Sequence, residues 1–478
     1  MRRPFTARRA VVPDIDGAPL RSATVVLILL LAPSLGMAQY ATTLPGAAAG
    51  GVPDVDVAVT RGATDSITQI SLGEALRRAA QVDPNYIGAL RQVGDAEWVR
   101  RQAWSAFLLP SISFQWSWNQ YSSQQFNFGT GEFTDKLTQA SLRAEYDLFR
   151  GGAKIFDMRG SGAGLDGAKA GELQARFETA LGTEADYYDV IAQSELLRVA
   201  EDRVRRAEEQ LAVARARVLS GAAVQTDSLQ LVLELTRAQV DLLRQGSAVT
   251  VARLQLGRRV GAPGPVDAAP LDTLPAGPLP ITESQAVREA LASSPRVSVA
   301  RADAEIANEA FKAERSSYLP TLSLFGQWSG FDEEIIPDAT TRTAYGLTLS
   351  FPLWDGADRE LRVYRANTRR QVAEAARLDA EREAGRDVVA AYQAYETARA
   401  STQLAERAVF VARENLRVQQ ERYQAGATTI IDLIAAQVNL TEAEAGLVQA
   451  TFTTRLALAA LEAILGRRLY ETRGVTGP

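Results

Sequence analysis

The side chains available for chemistry in this 478-residue chain are carboxylates, arginines, tyrosines and hydroxyls, because it contains no cysteine and no histidine. That composition excludes a thiolate nucleophile, a Cys/His zinc site, a histidine-based triad and a lipid-modified N-terminal Cys. The Asp and Glu residues fall among arginines along helical stretches, the pattern of solvated helix faces, and none pair up as an acid/base site. No catalytic residue, cofactor site or metal site is expected. The formal net charge is −5, and Lys and Arg are interleaved with Asp and Glu instead of gathered in a patch, so nucleic acid is not an expected partner. Two aspartates stand out by position. Asp227 and Asp432 each lie shortly after a glycine, Gly221 and Gly426, where a new helix would start. A carboxylate in the first turn of a helix is favoured by the dipole, and Asp227 reads mainly as such a cap.

The elements that must position these residues occur twice. A helix, a Leu-Pro, an alternating strand pair and two very long helices follow one another once in each half. Pro84 answers Pro295 (295 − 84 = 211) and Pro110 answers Pro320 (320 − 110 = 210). Leu148-Phe149-Arg150-Gly151 answers Leu353-Trp354-Asp355-Gly356, and Gly221 with Asp227 answers Gly426 with Asp432, all at an offset of 205 (432 − 227 = 205). A near-constant shift over so many landmarks points to duplication.

The strands alternate cleanly. Ile112, Phe114, Trp116 and Trp118 are separated by Ser113, Gln115 and Ser117, and Leu142, Ala144, Tyr146 and Leu148 by Arg143, Glu145 and Asp147. Leu322, Leu324 and Trp328, then Tyr345, Leu347, Leu349 and Phe351, repeat the pattern, with Phe325 as its one clear break. Each strand reads as about 9 to 11 residues, the length of a tilted transmembrane β-strand, and aromatics gather near the ends. Phe114, Trp116, Trp118, Tyr146, Trp328, Tyr345 and Phe351 are the expected membrane-facing aromatics. A periplasmic sandwich would alternate too. Four strands cannot close on themselves, and in lipid every edge amide must be paired, so a membrane sheet of this kind has to be shared between chains. Two copies give eight strands, normally plugged by side chains, whereas three give twelve and room for a channel.

Gly152 to Leu219 is free of proline, and a continuous helix there would run on the order of 100 Å. Leu197, Val204, Leu211 and Val218 recur every seven residues with Ala200, Ala207 and Ala214 behind them, and Val409, Leu416 and Tyr423 repeat the seam. In the last helix Leu433, Leu440, Leu447 and Leu461 pair with Ala436, Ala443, Ala450 and Ala457. Both long helices turn at a glycine that supplies a left-handed stop, and a threonine can cap the helix that follows.

Arginines at 2, 3, 8, 9 and 21 precede the apolar run Ala23 to Leu31, which ends in Pro33 and Gly36-Met37-Ala38. That run is well short of the roughly 20 residues of a spanning helix, so residues 1–38 read as a cleaved secretory signal peptide. Residues 39–66 read as a disordered leader and 67–256 as the first repeat, with strands about 110–120 and 137–149 and long helices about 152–219 and 224–256. The six prolines between Gly257 and Pro280 mark a linker. The second repeat is 281–469, with strands about 320–331 and 342–354 and helices about 357–424 and 429–466, before a tail at 470–478.

Over residues 67–469 the chain resembles a TolC-like outer-membrane efflux protein, through the duplicated layout, Leu353-Trp354-Asp355-Gly356, and Tyr423-x-x-Gly426-x-x-x-x-x-Asp432-Leu433-x-x-Ala436-Gln437. The resemblance implies an α+β membrane protein and a homotrimer. Its 12-stranded β-barrel in outer-membrane lipid would continue into a periplasmic α-helical barrel. It implies a passive exit duct of tripartite efflux or type I secretion, serving an inner-membrane transporter of RND or ABC type through a periplasmic adaptor. Tyr423 and Asp432 match family positions at a periplasmic gate, where three copies of Asp432 would form a ring that repels anions and attracts cations; the capping role of Asp432 stays open beside it. Ala435 stands where some members carry a second Asp and Thr428 where some carry an Arg. The resemblance places adaptor docking at Gly221, Ala222 and Ala223 and at Gly426, Ala427 and Thr428. A periplasmic adaptor or structural coiled-coil protein without a pore is the alternative, although adaptors carry a single hairpin. A secreted enzyme with a helical stalk would need a carboxylate cluster.

Overall fold

The computed structural model describes residues 67–126, 131, 133–270, 277–332 and 340–470. The expected signal peptide, the leader and the tail beyond Tyr470 lie outside these residues. The described chain belongs to one compact unit.

Each half opens in the same way. The Ser71 hydroxyl caps α1 (Leu72–Val82), and the Asp83 carboxylate accepts from the backbone N–H of Asn85 (2.9 Å) and Tyr86 (3.1 Å) to start α2 (Pro84–Leu108). In the second half Thr282 and Gln285 form a capping box for α5 (Glu283–Ser293), and Ser294 caps α6 (Pro295–Arg315). Proline at the first helical position costs nothing there, because its missing N–H would have had no partner. A 3-10 turn (Ser316–Tyr318) ends α6.

Strands β2 (Ser111–Phe126), β3 (Phe133–Arg150), β5 (Thr321–Asp332) and β6 (Thr340–Ser350) form one antiparallel sheet in the order β2-β3-β5-β6. The first hairpin is a correction to the expected length: β2 has 16 residues and β3 has 18. The apolar alternation stops near Trp118, but backbone pairing does not depend on it, and the polar run from Asn119 onward continues the ladder past a register shift between Gln120 and Gln125. The expected last strand is corrected in the other direction. It ends at Ser350, so Phe351 lies beyond β6, next to Pro352, which has no N–H to give a ladder.

From the sheet run two helical hairpins, α3 (Ala153–Leu219) with α4 (Gln225–Arg259) and α7 (Asp358–Gln424) with α8 (Ile430–Leu465). The two long helices have 67 residues each, about 100 Å at 1.5 Å per residue. Along its length α3 packs on α2 and α6, then on α4 and α8, and α7 packs on α6 and α8. Close approach of α3 to α6 depends on Gly167, where a Cβ would come within 2.9 Å of the Ala302 methyl. Of the heptad positions, Ala207, Leu211, Ala214, Val409, Leu416, Tyr423, Leu433, Ala436, Leu440 and Leu461 are buried within the chain. By length and composition α8 could cross a membrane; in this chain it packs along α7 and α3, and only 22% of its apolar stretch is buried.

The expected linker at 257–280 is partly structured. Gly257 to Arg259 are the last turn of α4, and Val266–Ala268 form β4, which pairs in parallel with β1 (Thr68–Ile70). The helix end and the loop touch so closely that a Cβ on Gly257 would lie 2.2 Å from the Gly264 carbonyl oxygen. Fully buried Tyr187 of α3 donates its hydroxyl to the Ala269 carbonyl at 2.8 Å, with the Ile70 carbonyl at 3.2 Å. Tyr395 of α7 likewise donates to the Gly277 carbonyl at 3.0 Å. One tyrosine from each long helix thus ties the connector to the helices. Tyr187→Phe leaves the half-buried Ala269 carbonyl short of a donor, about 1 kcal/mol; hydrogen exchange at Val266 to Ala268 is expected to quicken about fivefold.

Candidate functional site

The two hairpin tips are built alike. In the first, the N–H of Ala222 donates to the Arg217 carbonyl (2.8 Å) and that of Gly221 to the Val218 carbonyl (3.0 Å). In the second, Ala427 donates to Arg422 (2.8 Å) and Gly426 to Tyr423 (3.1 Å). These are paired C-terminal helix stops, and the glycines take φ of 75° and 73°, a conformation with little penalty only for glycine. Gly221, Ala222, Gly426 and Ala427 are exposed, while Ala223 and Thr428 are half-buried.

The residues that follow are where the repeats diverge. Thr429 caps α8, and its hydroxyl donates to Asp432 Oδ2 at 2.7 Å, joined by the Thr428 hydroxyl (3.0 Å) and the Thr429 N–H (3.2 Å). These bonds, led by the Thr429 hydroxyl, hold the exposed Asp432 carboxyl below the ordinary aspartate value. At the corresponding place in the first repeat stands Val224, which has no side chain to cap α4. The expected threonine cap is therefore absent there, and Thr226 lies inside the helix. With no capping box to hold it, the Asp227 carboxylate faces the other hairpin and accepts a long hydrogen bond, 3.5 Å, from the Tyr423 hydroxyl. Asp227 is a cross-hairpin acceptor as well as a first-turn carboxylate.

Arg217, which the sequence did not single out, completes the contact. Its guanidinium donates to the Tyr423 carbonyl and lies 4.7 Å from the centre of the Tyr423 ring. Burial, then the Asp227 carboxylate, push the Tyr423 phenol above its ordinary value, while Arg217 opposes them. The structure therefore brings Tyr423 to Arg217 and Asp227, and leaves Asp432 engaged with Thr428 and Thr429. Arg422, at the position matching Arg217 (422 − 217 = 205), donates to its own turn's Ala427 carbonyl at 3.4 Å and acts electrostatically on Asp432 of its own hairpin. A basic residue one turn before each glycine was the available signal for Arg217.

The register of the sheet assembles one apolar face. Phe114, Leu142, Trp328 and Thr343 are neighbours across all four strands, and Tyr146, Leu324 and Leu347 continue the face. Phe114, Trp116, Trp118, Trp328 and Tyr345 are exposed on the isolated chain, Tyr345 to 87%. Tyr146 is half-buried, donates to the Phe107 carbonyl at 2.7 Å and carries the Lys154 ammonium 4.2 Å from its ring centre, so it ties the sheet to α2. The opposite face holds Arg143, Glu145 and Gln327, with Arg143 bonded to both at 3.1 and 3.4 Å. Phe325, the break in the alternation, sits on this polar face opposite Gly346, with Arg143 5.0 Å from its ring centre.

A single chain thus joins an apolar-faced open sheet to long hairpins with polar tips, and known sequences share the plan. The profile of the outer membrane efflux protein family matches residues 99–262 and 286–467. This chain belongs to that family. Protein CyaE of Bordetella pertussis is 27% identical over 425 residues, covering 84% of this chain and 86% of that protein. The fold is similar to that of VceC from Vibrio cholerae, with a TM-score of 0.70, 18% identity and coverage of 84% of this chain and 97% of that one. It is also similar to the open state of the Neisseria gonorrhoeae MtrE channel, with a TM-score of 0.70, 19% identity and coverage of 85% and 91%. Like other outer membrane efflux proteins, the chain is a transport component and serves as an exit duct.

The lowered Asp432 value has a definite sign. Its cap is fully present above the ordinary aspartate value of 3.8 and is lost as the pH falls through the lowered one. In Thr429→Val the Asp432 carboxyl is expected to titrate closer to 3.8, read by carbon-13 NMR of labelled aspartate. An unmoved midpoint would contradict the capping geometry.

Proposed function

We propose that three copies of this chain form a 12-stranded β-barrel in the outer membrane, continuous with a periplasmic helical barrel whose tip opens to admit cargo. The observation that carries this reading is the sheet itself, apolar on one face, polar on the other, and open at both edges. The outer edges of β2 and β6 have no partner strand among the described residues. Neighbouring strands alternate in direction, so β6 of one copy meets β2 of the next antiparallel, and every edge amide in lipid is paired. The helices offer matching edges. Exposed Leu229, Leu233, Val240, Leu243 and Leu254 run along α4, and exposed Leu404, Val411 and Val418 recur seven apart along α7. Apolar heptad stripes left in water on the outermost helices suit burial against a neighbouring copy.

The duct takes cargo from an inner-membrane transporter of RND or ABC type through a periplasmic adaptor, in tripartite efflux or type I secretion. The adaptor docks on the exposed turns at Gly221 to Ala223 and Gly426 to Thr428. The Tyr423 contact with Arg217 and Asp227 latches the second hairpin to the first, and Asp432 adds a carboxylate ring at the entrance. Its hydrogen-bonded, ionised state suits it to both roles. The experiment is conductance of the purified protein in a planar bilayer. Tyr423→Phe and Asp227→Asn are each expected to raise it several-fold by releasing the latch; currents equal to wild type in both would contradict the gate.

A further inference from the structure

Above the latch, the two hairpins meet in a core of Leu211 and Ala214 from α3, Leu231 from α4, Leu416 from α7, and Leu433 and Leu440 from α8. Its upper boundary is Glu444, which accepts from Arg206 of α3 at 3.2 Å and from Arg413 of α7 at 3.5 Å. Two glutamines lie within this span. Gln437 follows Ala436 of the same core and is 0% exposed, and neither Oε1 nor Nε2 has a hydrogen-bond partner among the described residues. Gln210, beside Leu211, is 7% exposed with both amide atoms in the same condition.

A buried amide without partners carries an uncompensated desolvation penalty, whereas the same amide in water is fully satisfied. The packed tip therefore contains groups that favour its separation. Methionine has nearly the same length and no polar amide, so the packing alone does not require glutamine at 437. We propose that Gln437, with Gln210 in support, sets the opening equilibrium of the tip by holding the closed packing at a disadvantage that disappears when the hairpins part. The latch and Glu444 then hold closed a core that is biased toward opening. Opening on docking needs to release few contacts, because the differential free energy is already built into the core.

This inference rests on the reading of the tip as a gate, and the test separates the two. Bilayer conductance is compared for wild type, Tyr423→Phe, Gln437→Met and the double variant, with Gln210→Met as an independent second substitution. Trimer retention on a native gel checks folding. Tyr423→Phe is expected to raise the open fraction, and Gln437→Met to lower it about tenfold in that background, the factor expected for removing an unpaired buried amide. Hydrogen exchange over residues 430–440 should slow by a similar factor. A double variant that conducts as well as Tyr423→Phe alone, with unchanged exchange, overturns the role of Gln437 and leaves the gate standing. Conductance unmoved by any of the substitutions removes both.

Discussion

The rest of the structure depends on one constraint, that a backbone amide in lipid must be paired. Four antiparallel strands with one apolar face satisfy it internally and leave two edges open. The even strand number matters to the proposed barrel, because it would let the first and last strands of neighbouring copies meet antiparallel. In the proposed trimer, other features follow from closing the sheet around an axis. There the polar face carrying Arg143, Glu145 and Gln327 would turn toward water, and the helices that leave the sheet would line the same axis.

Those helices meet the requirement through side-chain size. Alanine and glycine at the contacts, such as Ala214 and Ala436 near the tip and Gly167 against Ala302, let long helices pack side by side. The outermost helices retain exposed apolar stripes, which the proposed trimer would bury against neighbouring copies. Between the sheet and the tip, Tyr187 and Tyr395 fix the connector across the helices, so the hairpins are held at mid-length and at the tip. The tip is held by few polar contacts. Tyr423, Arg217 and Asp227 form a small cluster with one long hydrogen bond, which suits the proposed latch.

Much of this was legible from periodicity. Alternation of period two marked both strand pairs, and the heptad of leucine and alanine marked the long helices, because each pattern records which face is buried. What escaped has a physical reason in each case. The polar end of the first hairpin is held by backbone pairing, which leaves no trace in side-chain polarity. Strand β4 is three residues long and lies among prolines, where a linker was the natural expectation. Phe325 looked like an error in the alternation, but it covers a glycine across the ladder and stacks with Arg143. Asp227 and Asp432 occupy matching positions at an offset of 205, and the sequence pointed to a cap for the first and left cap and gate open for the second. The difference lies at the preceding cap, where Val224 frees one carboxylate and Thr429 engages the other. Arg217 could be placed only once the hairpins were seen side by side.

The most direct measurement of the central claim is the native mass of the protein extracted in mild detergent from the outer-membrane fraction. The account predicts a trimer that dissociates on heating, because the open edges of the sheet are closed by neighbouring copies. A monodisperse monomer with a stable sheet would contradict it, since its edge amides would then need no partner.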